Sequence, residues 1–233
     1  MIRVSDEDGL RVVSLGRAPD NSLSLEVLDS LDAAFADAAS ARAVVLRSEL
    51  PSVFSAGLDL SELEPAAGLG TRPFRRLIEV HRRVASCPRP VVAAVNGLAI
   101  LGGWILALAC DARVFSDDAK ATLSEVRLGL SPTEALLRTS LAAARDPGAV
   151  RAMVLRGGPL DAGEALAAGL ADKVVPGVEL RAAASREARS LSRVPPGAFA
   201  AVKRDLRAAW GLDDDALWER SVASFEALHA GAE

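Results

Sequence analysis

Between Val91 and Cys110 the chain carries no charged side chain, yet this run is broken at Asn96-Gly97 and again at Gly102-Gly103. Unbroken, a stretch of this length would suit a membrane span. The breaks divide it differently. Val91-Val92-Ala93-Ala94-Val95 is a short β-branched run of the kind buried in parallel sheets, Asn-Gly is a strong turn, and residues 102–109 read as an apolar helix. A buried strand, a turn and a buried helix belong at the centre of a soluble core, so no membrane contact is expected.

Other segments repeat the alternation. Residues 2–4 and 10–15 flank Asp8-Gly9 and read as a hairpin. Leu25, Leu28, Leu31 and Phe35 share one helical face, residues 43–46 form a buried strand, and residues 72–85 an Arg-rich helix. Strands are expected again at 113–115 and 121–124. Ser131-Pro132-Thr133-Glu134 has the pattern of a capping box with proline at the first helical position, and Asp161 starts a further helix. After Pro176 the chain turns Ala- and Arg-rich, and Val194-Pro195-Pro196-Gly197 breaks it, which sets a boundary near residue 195. Trp218, Val222 and Phe225 form an apolar stripe at helical spacing. Pattern alone predicts an α/β protein with a doubly wound sheet.

With 233 residues, half of them hydrophobic, the chain has material for one core and a small appendage. Net charge is −4 and the basic residues are dispersed, so no nucleic-acid partner is expected. Cys87, Cys110, His81 and His229 lack metal-ligand spacing, so neither a metal nor a disulfide is expected, and a reduced, cytoplasmic protein fits best. The opening residues turn acidic at Asp6-Glu7-Asp8, unlike a secretory signal. GxSxG, GxGxxG and P-loop motifs are absent from the sequence.

Two loops carry the chemistry. Phe54-Ser55-Ala56-Gly57-Leu58-Asp59-Leu60 and Asn96-Gly97-Leu98-Ala99-Ile100-Leu101-Gly102-Gly103 each have glycines where a backbone N–H can be aimed outward. A pair of such donors makes an oxyanion hole. With Arg17 to Leu23, the run from Pro90 to Gly97, Cys110-Asp111 and Glu125-Val126-Arg127-Leu128-Gly129, these loops resemble the crotonase superfamily, the enoyl-CoA hydratase/isomerase family. The resemblance covers most of the chain.

It implies a ββα spiral core over residues 1–194 and a C-terminal helical trimerisation segment over 195–233, with assembly as a homotrimer or a dimer of trimers. It implies an acyl-CoA thioester as substrate, coenzyme A entering only as part of it. The oxyanion donors would fall on Ala56 and Gly102, and the acid/base on Glu125. Substrate contacts would come from Ala56, Gly57, Leu58, Asp59 and Leu60, from Gly102 and Ile105, and from Lys203 near the CoA end, with Asp59 fixing its loop. Arg72, Arg75, Arg76, Arg82 and Arg83 suit either phosphates or a solvated helix face.

Hydratases of the family hold water between two glutamates. One matches Glu125; the other falls on Ile105, which cannot ionise. A single carboxylate beside an oxyanion hole is similar to the family's Δ3,Δ2-enoyl-CoA isomerases. Glu134 lies one residue from a second acid position that falls on Thr133, and a capping role suits it better. Three readings follow: an isomerase, a hydratase or other lyase, and a non-catalytic acyl-CoA-binding subunit.

Overall fold

The expected hairpin forms from β1 (Ile2–Glu7) and β2 (Leu10–Leu15), turning at Asp8 and Gly9, both at positive φ. Helix α1 (Leu25–Ala36) follows, with Ser24 accepting from the Val27 N–H at its start. Three strand-strand-helix units come next: β3 (Ala43–Ser48), β4 (Val53–Ser55) and α2 (Arg72–Ala85); β5 (Val91–Val95), β6 (Leu98–Ile100) and α3 (Gly102–Leu108); β7 (Ala112–Ser116), β8 (Lys120–Thr122) and α4 (Thr133–Ala143). The chain continues through α5 (Pro147–Arg156), β9 (Leu160–Asp161), α6 (Ala162–Ala167), β10 (Lys173–Val175) and α7 (Leu180–Leu191) to α8 (Pro196–Ala209) and α9 (Asp215–Ala230). This computed structural model describes residues 1–230 except 65 and 67.

The strands do not make one doubly wound sheet. The first strand of each unit joins a six-stranded sheet, β1-β2-β3-β5-β7-β10, and the second joins a four-stranded sheet, β4-β6-β8-β9, so the chain advances as a ββα spiral. The bend that separates the sheets is steric in origin. Gly97 sits at φ 53°, and a Cβ there would lie 2.0 Å from the Ser52 carbonyl oxygen, so the chain can turn this sharply from β5 into β6 only at glycine.

The large sheet is parallel apart from its β1 edge and is buried on both faces, which explains its unbroken apolar strands. Leu180, Ala183, Ala184 and Ala188 of α7 cover Val12, Val45, Val92 and Val114 on one face. The other face joins the main core around α3, every residue of which is buried. The uncharged run is therefore the centre of the molecule, and no helix among the described residues is long and apolar enough to cross a membrane.

The capping box expected at Ser131 does not form. Thr133 takes φ 72°, the helix starts there, and Glu134 binds Arg138 at 2.8 Å instead. The Ala135 N–H in the first turn of α4 is satisfied by Ser221 of α9, at 3.0 Å. A complete capping box does form at Asp161 and Glu164. Helix α8 begins at the expected break, whereas α9 returns to the core, burying Leu217, Trp218, Val222 and Phe225 against α2 and α4.

Candidate active site

The first loop is held by hydrogen bonds from residues far away in sequence. Asn21 donates to the Phe54 carbonyl at 3.0 Å, and Ser55 donates to the Asn21 carbonyl at 2.8 Å. The Leu23 N–H donates to the Gly57 carbonyl, and the Asp59 N–H returns a bond to Leu23. Asp59 pairs with Arg17 at 2.8 Å and accepts from Ser61, which together hold its carboxylate below the ordinary range. It fixes the loop and lies outside the reacting centre.

This lattice corrects the assignment of Ala56 as an oxyanion donor. Its N–H is spent on the Asp20 carbonyl, at 3.0 Å. The extended pairing of Leu23 with Leu58 turns the Leu58 N–H to the opposite side, and it has no acceptor among the described residues. Gly102 at the first position of α3 likewise has none. The two loops touch here: a Cβ on Gly57 would lie 2.9 Å from Gly102 N, and one on Gly102 would lie 3.2 Å from Leu58 N. The N–H groups left without an acceptor where the two loops meet are therefore those of Leu58 and Gly102. Gly57, at φ 91°, is required both by its conformation and by this contact.

Glu125 opens the short helical turn Glu125–Leu128 after β8. Its side chain is buried, Oε2 has no hydrogen-bond partner among the described residues, and desolvation pushes the carboxyl up to about 7. It faces a small pocket shared with Leu58, Gly102 and Ile105, of which Glu125 is the only ionisable group among the described lining residues. Ala56, Gly57 and Asp59 are not among the described lining residues; Leu60 is, and is 53% exposed.

Lys203 is not brought to this pocket. Its Nζ pairs with Asp111 at 2.9 Å, and Asp111 also accepts from the Val91 N–H, so Lys203 anchors α8 at the far end of α3 from Gly102. Four of the five arginines of α2 are equally occupied; Arg72 forms no ion pair among the described residues. Arg75 binds Glu219 and Glu226, Arg76 binds Asp29 and Asp32, Arg82 binds Asp215, and Arg83 binds Asp32. Sequence reasoning found no partner for His81. Its Nδ1 donates to the Ile105 carbonyl at 3.0 Å, and burial depresses its pKa to about 4, so it stays neutral and braces α3.

A ββα spiral split into two sheets in this way is the fold of crotonase-like acyl-CoA enzymes. The sequence matches the enoyl-CoA hydratase/isomerase family over residues 5–230, and the chain belongs to that family. It is 36% identical to a putative enoyl-CoA hydratase of Thermus thermophilus, over 84% of this chain and 78% of that one. Among solved structures, it is similar to an enoyl-CoA hydratase/isomerase family protein from Pseudomonas syringae, with 27% identity, TM-score 0.89, and 96% and 97% of the two chains covered. An Mtb enoyl-CoA isomerase aligns at 25% identity and TM-score 0.83, covering 99% and 96%.

Proposed function

We propose that this chain is an enoyl-CoA isomerase. The observation that supports this is that Glu125 is the single ionisable group among the described lining residues of the pocket, with the buried aliphatic side chain of Ile105 also lining it. The Glu125 carboxylate takes a proton from C2 of a 3-enoyl thioester, and the electrons move to the thioester oxygen. The Leu58 and Gly102 N–H groups stabilise that dienolate. Glu125 then returns the proton to C4, which leaves the double bond between C2 and C3. No water has to be positioned. A carboxyl near 7 is matched to this task at neutral pH. Hydration is the second reading, favoured by the name of the Thermus relative.

Incubation with 3-enoyl-CoA and 2-enoyl-CoA in deuterated water, followed by mass analysis, separates the two. Isomerisation adds no water mass and is read from conjugation of the double bond with the thioester, with deuterium entering only as far as the Glu125 proton exchanges with solvent. Efficient hydration of 2-enoyl-CoA with no isomerisation overturns the assignment. Because the carboxylate and not the acid accepts the first proton, kcat/KM is expected to fall as pH drops through about 7.

The same reading includes self-assembly as a homotrimer or a dimer of trimers through α8, where Val202 and Leu206 are each 59% exposed. Sedimentation should show an oligomer that Leu206→Asp dissociates; a monomeric wild type would remove this part. The two free, buried cysteines suit a reducing cytoplasm.

A further inference from the structure

The pocket beside Glu125 is closed on its far side by two aromatic rings. Phe225 of α9 stacks on Phe74 of α2 with centroids 3.8 Å apart and planes 7° from parallel. The space left is about 40 Å³, well below the few hundred Å³ of ordinary small-ligand pockets. The remaining walls, including Leu77, Leu101 and Leu130, are aliphatic. An acyl group ending in a carboxylate would therefore be desolvated there without a counter-charge.

The walls differ in how readily they yield. Leu60 and Leu128 stand at the mouth, 53% and 46% exposed, and can turn aside. Phe225 cannot do so alone. Its ring is held by the stack, α9 is tied to α2 through Arg75 and its two glutamates, and the neighbouring Trp218 is fixed by a 2.9 Å bond to the Leu212 carbonyl.

We propose that the pocket selects a short, uncharged aliphatic acyl group, with the Phe74–Phe225 stack as the stop that limits chain length. This rests on the acyl-CoA reading above and names its substrate class. Specificity here is a matter of excluded volume and of an unpaired charge, both of which discriminate strongly in a tight apolar site.

The test measures binding of non-reactive thioether analogues of butyryl-, hexanoyl-, dodecanoyl- and glutaryl-CoA, alongside turnover of hexenoyl- and dodecenoyl-CoA. Wild type should bind the hexanoyl analogue about tenfold or more tightly than the dodecanoyl one, and the glutaryl analogue about 10²-fold more weakly than the hexanoyl one. Phe225→Ala should bring the hexanoyl and dodecanoyl affinities within about threefold, and Phe225→Leu, which keeps an apolar contact on Phe74, should fall between. Equal or tighter dodecanoyl binding by wild type, tight glutaryl binding, or an unchanged length preference in a folded Phe225 variant overturns the proposal. Length-selective binding without turnover sinks the isomerase reading and leaves the pocket standing; turnover indifferent to length does the reverse.

Discussion

Replacing Glu125 by glutamine is expected to lower turnover by about 10²–10⁴-fold while acyl-CoA binding persists. Glutamine keeps the shape of the protonated acid and cannot accept the proton. The same change should raise thermal stability, and only at higher pH. Burial holds the Glu125 carboxyl at about 7 instead of its ordinary 4.5, so the folded chain binds this proton more tightly than the unfolded one. Stability from the protonated carboxyl is present at low pH and is lost as pH rises from 4.5 to about 7. Above that, a charge in an apolar pocket costs about 3 kcal/mol that glutamine does not incur. The melting temperature of Glu125→Gln should match wild type near pH 5 and exceed it by several degrees at pH 8, roughly as such an energy shifts a chain of this size. Near-wild-type turnover would remove Glu125 from the mechanism, and a pH-independent difference in melting would remove the perturbed carboxyl.

The second large effect concerns a group that no side-chain deletion reaches. Gly102→Pro removes the N–H itself, at the first position of α3, where proline is otherwise tolerated. Turnover is expected to fall by about 10²–10³-fold, the usual consequence of losing one oxyanion donor. Gly102→Ala is the control, since it keeps the N–H and adds only the Cβ. That carbon would sit 3.0 Å from a terminal methyl of Leu77, which can move, and 3.2 Å from Leu58 N. The alanine variant should therefore lose less than the proline variant. Equal losses would show that crowding is responsible and not the missing donor; a folded, fully active proline variant would reduce the loop to a turn. Leu101, at φ 48° and ψ −120°, precedes the substitution, so melting must be measured for both variants.

Much of this site was legible in the sequence because its parts are local. The Val91–Val95 strand and the glycine pair at the head of α3 follow from residue type and spacing along short stretches, whereas Ile105 and Glu125 were singled out only by the family resemblance. What was not legible depends on partners far away in the chain. Whether Ala56 or Leu58 offers its N–H is decided by the Asp20 and Leu23 carbonyl and amide groups, which the loop itself does not announce. Lys203 resembles a substrate contact until Asp111 is placed opposite it. The two-sheet division depends on Gly97 closing against Ser52, and the start of α4 on Ser221 arriving from α9. The apolar stripe of α9 was visible as a stripe, but its destination on Phe74 was not.

That destination also orders the events of synthesis. Arg75 and Glu226, which bind beside the aromatic stack, are 151 residues apart in the chain. The floor of the pocket, from Leu58 through Gly102 to Glu125, leaves the ribosome well before the ring that roofs it. Until α9 emerges and docks, the Phe74 side of this cleft lacks the ring that stacks on it. The wall that Phe225 contributes is therefore in place only after α9 has been made and has docked on α2, later than the strands and loops that form the floor.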